Sequence, residues 1–152
     1  MSVVVARADN PLPAEVVSRL EFMAGEWKTQ GTFHGETFTE TCRRRLAPSK
    51  TALFATSEST VGKWAGVTGW DPGANEFVET CYDSTGAQFV VRYNIVTDAT
   101  VWEGTVTVHA ASGEREQGTC RLEKTGKDSF KFTAKTNKTE VTTLATRVKR
   151  GK

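Results

Sequence analysis

Between residues 13 and 33 the apolar positions change period. Val16, Val17, Leu20, Met23 and Ala24 recur at helical spacing and share one face. After Gly25, Trp27, Thr29, Gly31 and Phe33 alternate with Lys28, Gln30, Thr32 and His34, the two-residue period of a strand. The pattern predicts one helix over 13–24. Pro13 suits its first turn, where no N–H is needed, and Gly25 sits where a left-handed C-terminal cap is expected. No second helix is predicted.

From Trp27 onward, β-branched and aromatic segments recur every 8–13 residues with turn residues between them. Strands are predicted over 26–34, 36–47, 51–61, 64–71, 76–83, 87–96, 100–110, 114–124, 129–136 and 140–149. Links such as Asp71-Pro72-Gly73-Ala74-Asn75 and Asp83-Ser84-Thr85-Gly86 are short, so sequence neighbours should pair antiparallel in an up-and-down meander. About ten strands make a sheet whose unpaired edges favour closure. Alternation marks a dry face and a wet one. Trp102, Gly104, Val106 and Val108 oppose Val101, Glu103, Thr105 and Thr107, and Phe130, Phe132 and Ala134 oppose Lys131, Thr133 and Lys135. Phe89-Val90-Val91 is apolar on both faces, which suggests cover by a helix or a second subunit. The expected fold class is all-β: an antiparallel up-and-down β-barrel of about ten strands with one short N-terminal helix. A flexible lead-in is expected over 1–12 and a single domain over 13–150.

Composition agrees with a globular chain. The 152 residues are 38% hydrophobic and 25% charged, enough for one domain with a core and too apolar for a disordered chain. The longest apolar runs are far too short to span a bilayer, and no basic-flanked leader with a small-residue cleavage site is visible. A cytoplasmic location is the default expectation. Cys42, Cys81 and Cys120 lie 39 residues apart, each after a Thr, but none forms a Cys-x-x-Cys pair. An odd, unpaired set argues against a disulfide scaffold or a zinc site and for small buried apolar residues. From Thr119 onward ten Lys/Arg stand against three Asp/Glu. These Lys alternate with Thr and Phe, as solvent-facing strand positions do, so nucleic acid is not the expected partner.

Gly25, Glu26 and Trp27, placed between a short helix and a meander, resemble the opening of the lipocalins and their calycin relatives. The resemblance implies that the Trp closes the barrel floor and that a basic residue of the last strand, here Arg147, packs across its ring. A closer likeness is to small bacterial barrel domains of uncharacterised function, which share a Leu…Gly-x-Trp opening and a later Gly-aromatic-Asp-Pro turn, here Gly69-Trp70-Asp71-Pro72. Three features depart from the secreted lipocalins. Thr97-Asp98 is followed by no Tyr, no C-terminal helix is predicted, and no leader is seen. A lipocalin-like barrel outside the secreted branch is what the likeness implies.

No nucleophile elbow, phosphate-binding loop, dinucleotide turn or zinc-helix motif occurs. His34 and His109 read as surface histidines rather than haem or metal ligands, and neither cofactor nor metal is expected. Glu40, Glu58, Glu79, Glu103, Arg44 and Arg92 lie within predicted strands, where any inward member becomes a pairing or acid–base candidate. In Arg43-Arg44-Arg45 the alternation forces at least one arginine inward or to a rim. The aromatic set runs Phe38, Phe54, Trp64, Trp70, Phe77, Phe89, Tyr93, Trp102, Phe130 and Phe132, with small residues among them that leave room for a ligand. The expected ligand-binding residues are Phe54, Trp64, Trp70, Phe89, Tyr93, Trp102, Arg44 and Phe132. The leading reading is a non-catalytic carrier or sensor of a small, largely apolar molecule, with no membrane partner. Two alternatives stay open: an enzyme using an inward Glu/Arg pair, and a filled barrel that forms a homodimer through Phe89-Val90-Val91 and its neighbours.

Overall fold

The change of period at Gly25 is where helix becomes strand. The computed structural model describes residues 12–94 and 99–149, with α1 (Ala14–Met23) followed by β1 (Gly25–Phe33), β2 (Glu36–Leu46), β3 (Ala52–Ser59), β4 (Gly62–Asp71) and β5 (Glu76–Asp83). The chain continues through β6 (Gln88–Asn94), β7 (Val101–His109), β8 (Arg115–Gly126), β9 (Ser129–Thr136) and β10 (Glu140–Arg147). Every sequential pair is antiparallel, and β1 pairs with β10, so ten strands close into an all-β barrel. Closure leaves no sheet edge. The lead-in up to residue 11 and the expected end of the sixth strand at 95–96 lie outside the described residues.

Antiparallel order sorts the turns. Those after odd-numbered strands ring one end, the mouth; those after even-numbered strands share the other end, the base, with α1. Two local expectations are corrected there. Gly25 is not a left-handed helix cap: Ala24, extended at φ −64 and ψ 140, ends α1, and Gly25 opens β1 at φ 127. That φ is hard for a side chain, and a Cβ would lie 2.6 Å from Arg147 Nη1. The buried face of α1 is Val16, Arg19, Leu20 and Met23, whereas Val17 is exposed. Arg19 is held inside by stacking its guanidinium 4.9 Å from the centre of the Trp102 ring.

The core fills the base half of the barrel. Val16, Leu20 and Met23 of α1 pack on Trp27, Leu53, Phe77, Trp102, Leu122 and Phe130 from six different strands. Inward and outward positions alternate as the sequence predicts on β1, β7 and β9, with Trp27 and Thr29 buried between exposed Lys28 and Gln30. Gly104 holds an inward position where no larger residue fits: a Cβ there would fall 1.7 Å from the Arg92 carbonyl oxygen of the adjacent strand.

Candidate functional site

The lumen is built in layers from the base upward. At the floor, Trp27 donates its indole N–H to the Met23 carbonyl at 3.0 Å and meets Phe130 edge-on at 4.9 Å. Arg147 lies 4.3 Å from the centre of the Trp27 ring. Its guanidinium donates to the Phe22 carbonyl at 2.7 Å, to the Ala24 carbonyl, and to Asp128 Oδ1 at 3.0 Å. The basic partner expected for Trp27 is therefore in place. Above this floor Trp102 is flanked by Phe77 at 5.9 Å and Tyr93 at 5.8 Å.

The next layer is polar. Of the three consecutive arginines, strand alternation turns Arg44 inward and leaves Arg43 and Arg45 exposed. Arg44 donates through Nη1 and Nη2 to the two oxygens of Glu79, the Nη2 contact being 3.4 Å. Thr68 Oγ1 donates to Glu79 Oε2 at 2.7 Å. Burial alone would raise the Glu79 pKa, but the charge and hydrogen bonds of Arg44 and the Thr68 hydroxyl outweigh it, so the carboxyl stays below its ordinary range. Burial likewise works against the Arg44 charge, and Glu79 more than offsets it. The pair is therefore a matched ion pair: Glu79 holds no proton to give near neutral pH and Arg44 has none to lose.

Around the pair lie two thiols. Burial, the leading cause, pushes Cys42 up to about 11, and Cys81 rises with it. Cys120, also buried, is pushed up to about 12 by burial and by Glu79. Neutral thiols of this kind are weak nucleophiles. Nearer the mouth, Trp64 donates its indole N–H to Glu40 Oε2 at 3.0 Å, and Glu116 accepts from the Thr136 and Thr139 hydroxyls at 2.5 and 2.8 Å. Those two bonds hold the Glu116 carboxyl below its usual range.

Between floor and mouth these layers leave a cavity of about 230 Å³. Arg44, Trp64, Phe89, Tyr93, Trp102 and Phe132, all anticipated from sequence, line it. Two anticipated residues do not. Trp70 is half-buried and packs against the core beside the cavity. Phe54 faces outward, 53% exposed, directly opposite Val67 on the neighbouring strand.

Of the in-strand charges, Glu40, Glu79 and Arg44 line the cavity. Glu58, Glu103 and Arg92 take outer ion pairs with Lys63, Arg121 and Glu76. His34 and His109 are exposed, and among the described residues no three His, Cys, Asp or Glu side chains are grouped to hold a metal. Sequence reasoning named Glu79 only as one of several glutamates and did not single out Thr68, Cys42 or Cys81 for the lumen. Each sits at an inward position of its strand, which is the signal that marks it.

No family model and no curated protein matches the chain. Several solved structures share its overall shape. The redesigned β-barrel mFAP1 bound to DFHBI is 14% identical, with 84% of this chain and 97% of that one covered at a TM-score of 0.43. A de novo designed fluorescence-activating β-barrel is 14% identical, with 85% and 96% covered at a TM-score of 0.40. A further barrel bound to DFHBI is 8% identical, with 90% and 100% covered at a TM-score of 0.48. The fold and the site rest on this chain's own residues.

Proposed function

We propose that this chain is a cytoplasmic, lipocalin-like binding protein whose single domain, over 13–150, holds a small, largely apolar molecule in the barrel lumen. The observation that carries the reading is the cavity of about 230 Å³, walled by aromatic side chains and crossed by one buried polar layer. A dry apolar cavity of about 150 Å³ accepts benzene, so this one suits a fused bicycle or a single ring with a short tail. Trp64, Phe89, Tyr93, Trp102 and Phe132 supply the apolar contact, and Arg44 with Glu79 and Thr68 supplies orientation. Three free, buried thiols suit a reducing compartment. Among the described residues no helix is long and apolar enough to cross a membrane.

Native mass spectrometry of the protein as purified tests the reading. A non-covalent adduct lost on denaturation supports it, while a bare mass, unchanged by titration with small aromatic probes, overturns it. A second reading has its own observation. Phe54, Val67, Thr80, Val90 and Thr107 form one uncharged row across five outward-facing strands, a surface that meets a second copy without like-charge repulsion. Analytical ultracentrifugation decides it: a monomer that persists at high concentration removes the homodimer.

A further inference from the structure

The charges inside the lumen do not cancel. Arg44 is matched by Glu79, which takes both of its terminal nitrogens. Glu40 also lines the cavity, half-buried on β2, and among the described residues its side-chain hydrogen bond comes from a neutral donor, the Trp64 indole N–H at 3.0 Å. No cation is paired with Glu40 among the described residues. The Trp64 ring that holds it also lies 5.6 Å from the Arg44 guanidinium, so the two carboxylates and the arginine share one neighbourhood. Their formal sum is one negative charge. Both Glu40 and Glu79 act on the Cys42 thiol in the same sense, as that closeness requires.

An uncompensated carboxylate in the half-buried wall of a cavity discriminates by sign. It attracts a cation more strongly there than in water, and repels an anion for the same reason. Arg44 does not reverse the preference, because an incoming carboxylate would have to displace Glu79 and strand that carboxylate in the interior. The aromatic faces nearby add to the effect, since an ammonium or alkylammonium group over an indole ring is favoured. With about 230 Å³ available, the fitting molecule is small.

We infer that the lumen selects a cationic amphiphile: an aromatic amine with one or two rings, its ring system above Trp102 and its protonated nitrogen against Glu40. The inference rests on the lumen being a binding site and names the class of molecule that this site takes. To hold a fatty or aromatic acid instead, the lumen would need a buried arginine free to act as counter-ion. Here that arginine is already occupied.

Isothermal titration calorimetry at pH 7 with tryptamine, tryptophol and indole-3-acetate tests it, because the three share a ring and differ mainly in the charge of the tail. Tryptamine should bind about tenfold or more tighter than indole-3-acetate, with tryptophol between, and its affinity should fall as salt is raised. Glu40→Gln keeps an oxygen for the Trp64 N–H and removes the charge; it should bring tryptamine down to the level of tryptophol in the same variant and abolish the salt dependence of tryptamine binding. Tryptophol binding as tightly as tryptamine would leave the lumen reading standing and overturn the charge selection. Indole-3-acetate binding most tightly would mean that Arg44 leaves Glu79 for the ligand, and overturns it too. Heat from none of the three, in the variant or the parent, overturns the lumen site and this inference together.

Discussion

Of the three arginines that lean on tryptophans in this barrel, Arg147 and Arg44 do opposite work. Arg147 stacks on Trp27 at the base and bonds outward to backbone carbonyls at the end of α1 and to Asp128 in the β8–β9 turn. It joins three separately folded pieces, so its contacts exist only in the assembled barrel. Arg44 faces Trp64 in the lumen, yet its main partner is a single carboxylate across the wall. That pair ties nothing that strand pairing has not already tied. One arginine is a fastener, the other a polar element set into a cavity. The difference shows that a buried charge is informative about function where its removal with its partner would leave the fold intact.

Substitutions can break the contrast. Trp27→Ala should cost most, about 3–5 kcal/mol of unfolding free energy in urea, because it empties the floor. Arg44→Met alone should cost about 3–5 kcal/mol by leaving Glu79 unpaired in the interior, but the double change Arg44→Met with Glu79→Leu should recover to within about 1 kcal/mol of the parent. No equivalent rescue should exist at the base: Arg147→Met should cost about 2–3 kcal/mol, and adding Asp128→Leu should not restore it, because the orphaned acceptors are main-chain carbonyls. A double change in the lumen as costly as Arg44→Met alone would erase the distinction.

Acid and alkali sharpen the same comparison with smaller effects. The lowered pKa of Glu79 contributes stability that is present above the unfolded carboxyl value of about 4.3 and lost as pH falls below it. The double lumen variant should therefore lose less stability than the parent between about pH 5 and 3, read from urea midpoints. On the alkaline side the sign reverses. The raised thiols favour folding below the unfolded cysteine value of about 8.5 and cease to do so as pH climbs toward the folded value of about 11 for Cys42. Replacing Cys42 with Ala should flatten that alkaline decline by about 1 kcal/mol between pH 8 and 9.5.

How far the sequence could be read follows from the same geometry. Alternation is a property of one strand, so it set Trp27 and Lys28 on opposite faces and required at least one of Arg43, Arg44 and Arg45 to turn inward or to a rim, without reference to any neighbour. It could not say that Arg44 meets Glu79: the two lie three strands apart in sequence order, and barrel shear, not spacing, brings them together. It also failed where the pattern has no alternation to offer. Ala52-Leu53-Phe54-Ala55 is apolar at consecutive positions, and either face was consistent for Phe54; the buried members are Leu53 and Ala55. Trp70 has the inward parity, but it belongs to the packed layer beside the cavity rather than to the wall of the cavity. Gly25 was legible as a special position and misread as to which, since an abrupt change of period looks the same whether a cap or a strand start produces it.

The seam between β1 and β10 sets a condition on synthesis. Arg147 meets the Ala24 carbonyl across 123 residues of chain, and β1 pairs with β10 along the register from Trp27 to Phe33. A ribosome therefore delivers β1 well before its partner β10, and until β10 emerges the growing sheet has a bare strand at each border. Hairpins can form as they emerge, but the floor, with Arg147 as its last member, can lock only after the tenth strand has cleared the exit tunnel. A truncation that removes β10 would spare nine hairpin-linked strands and still leave a chain with two open borders, prone to pair with copies of itself.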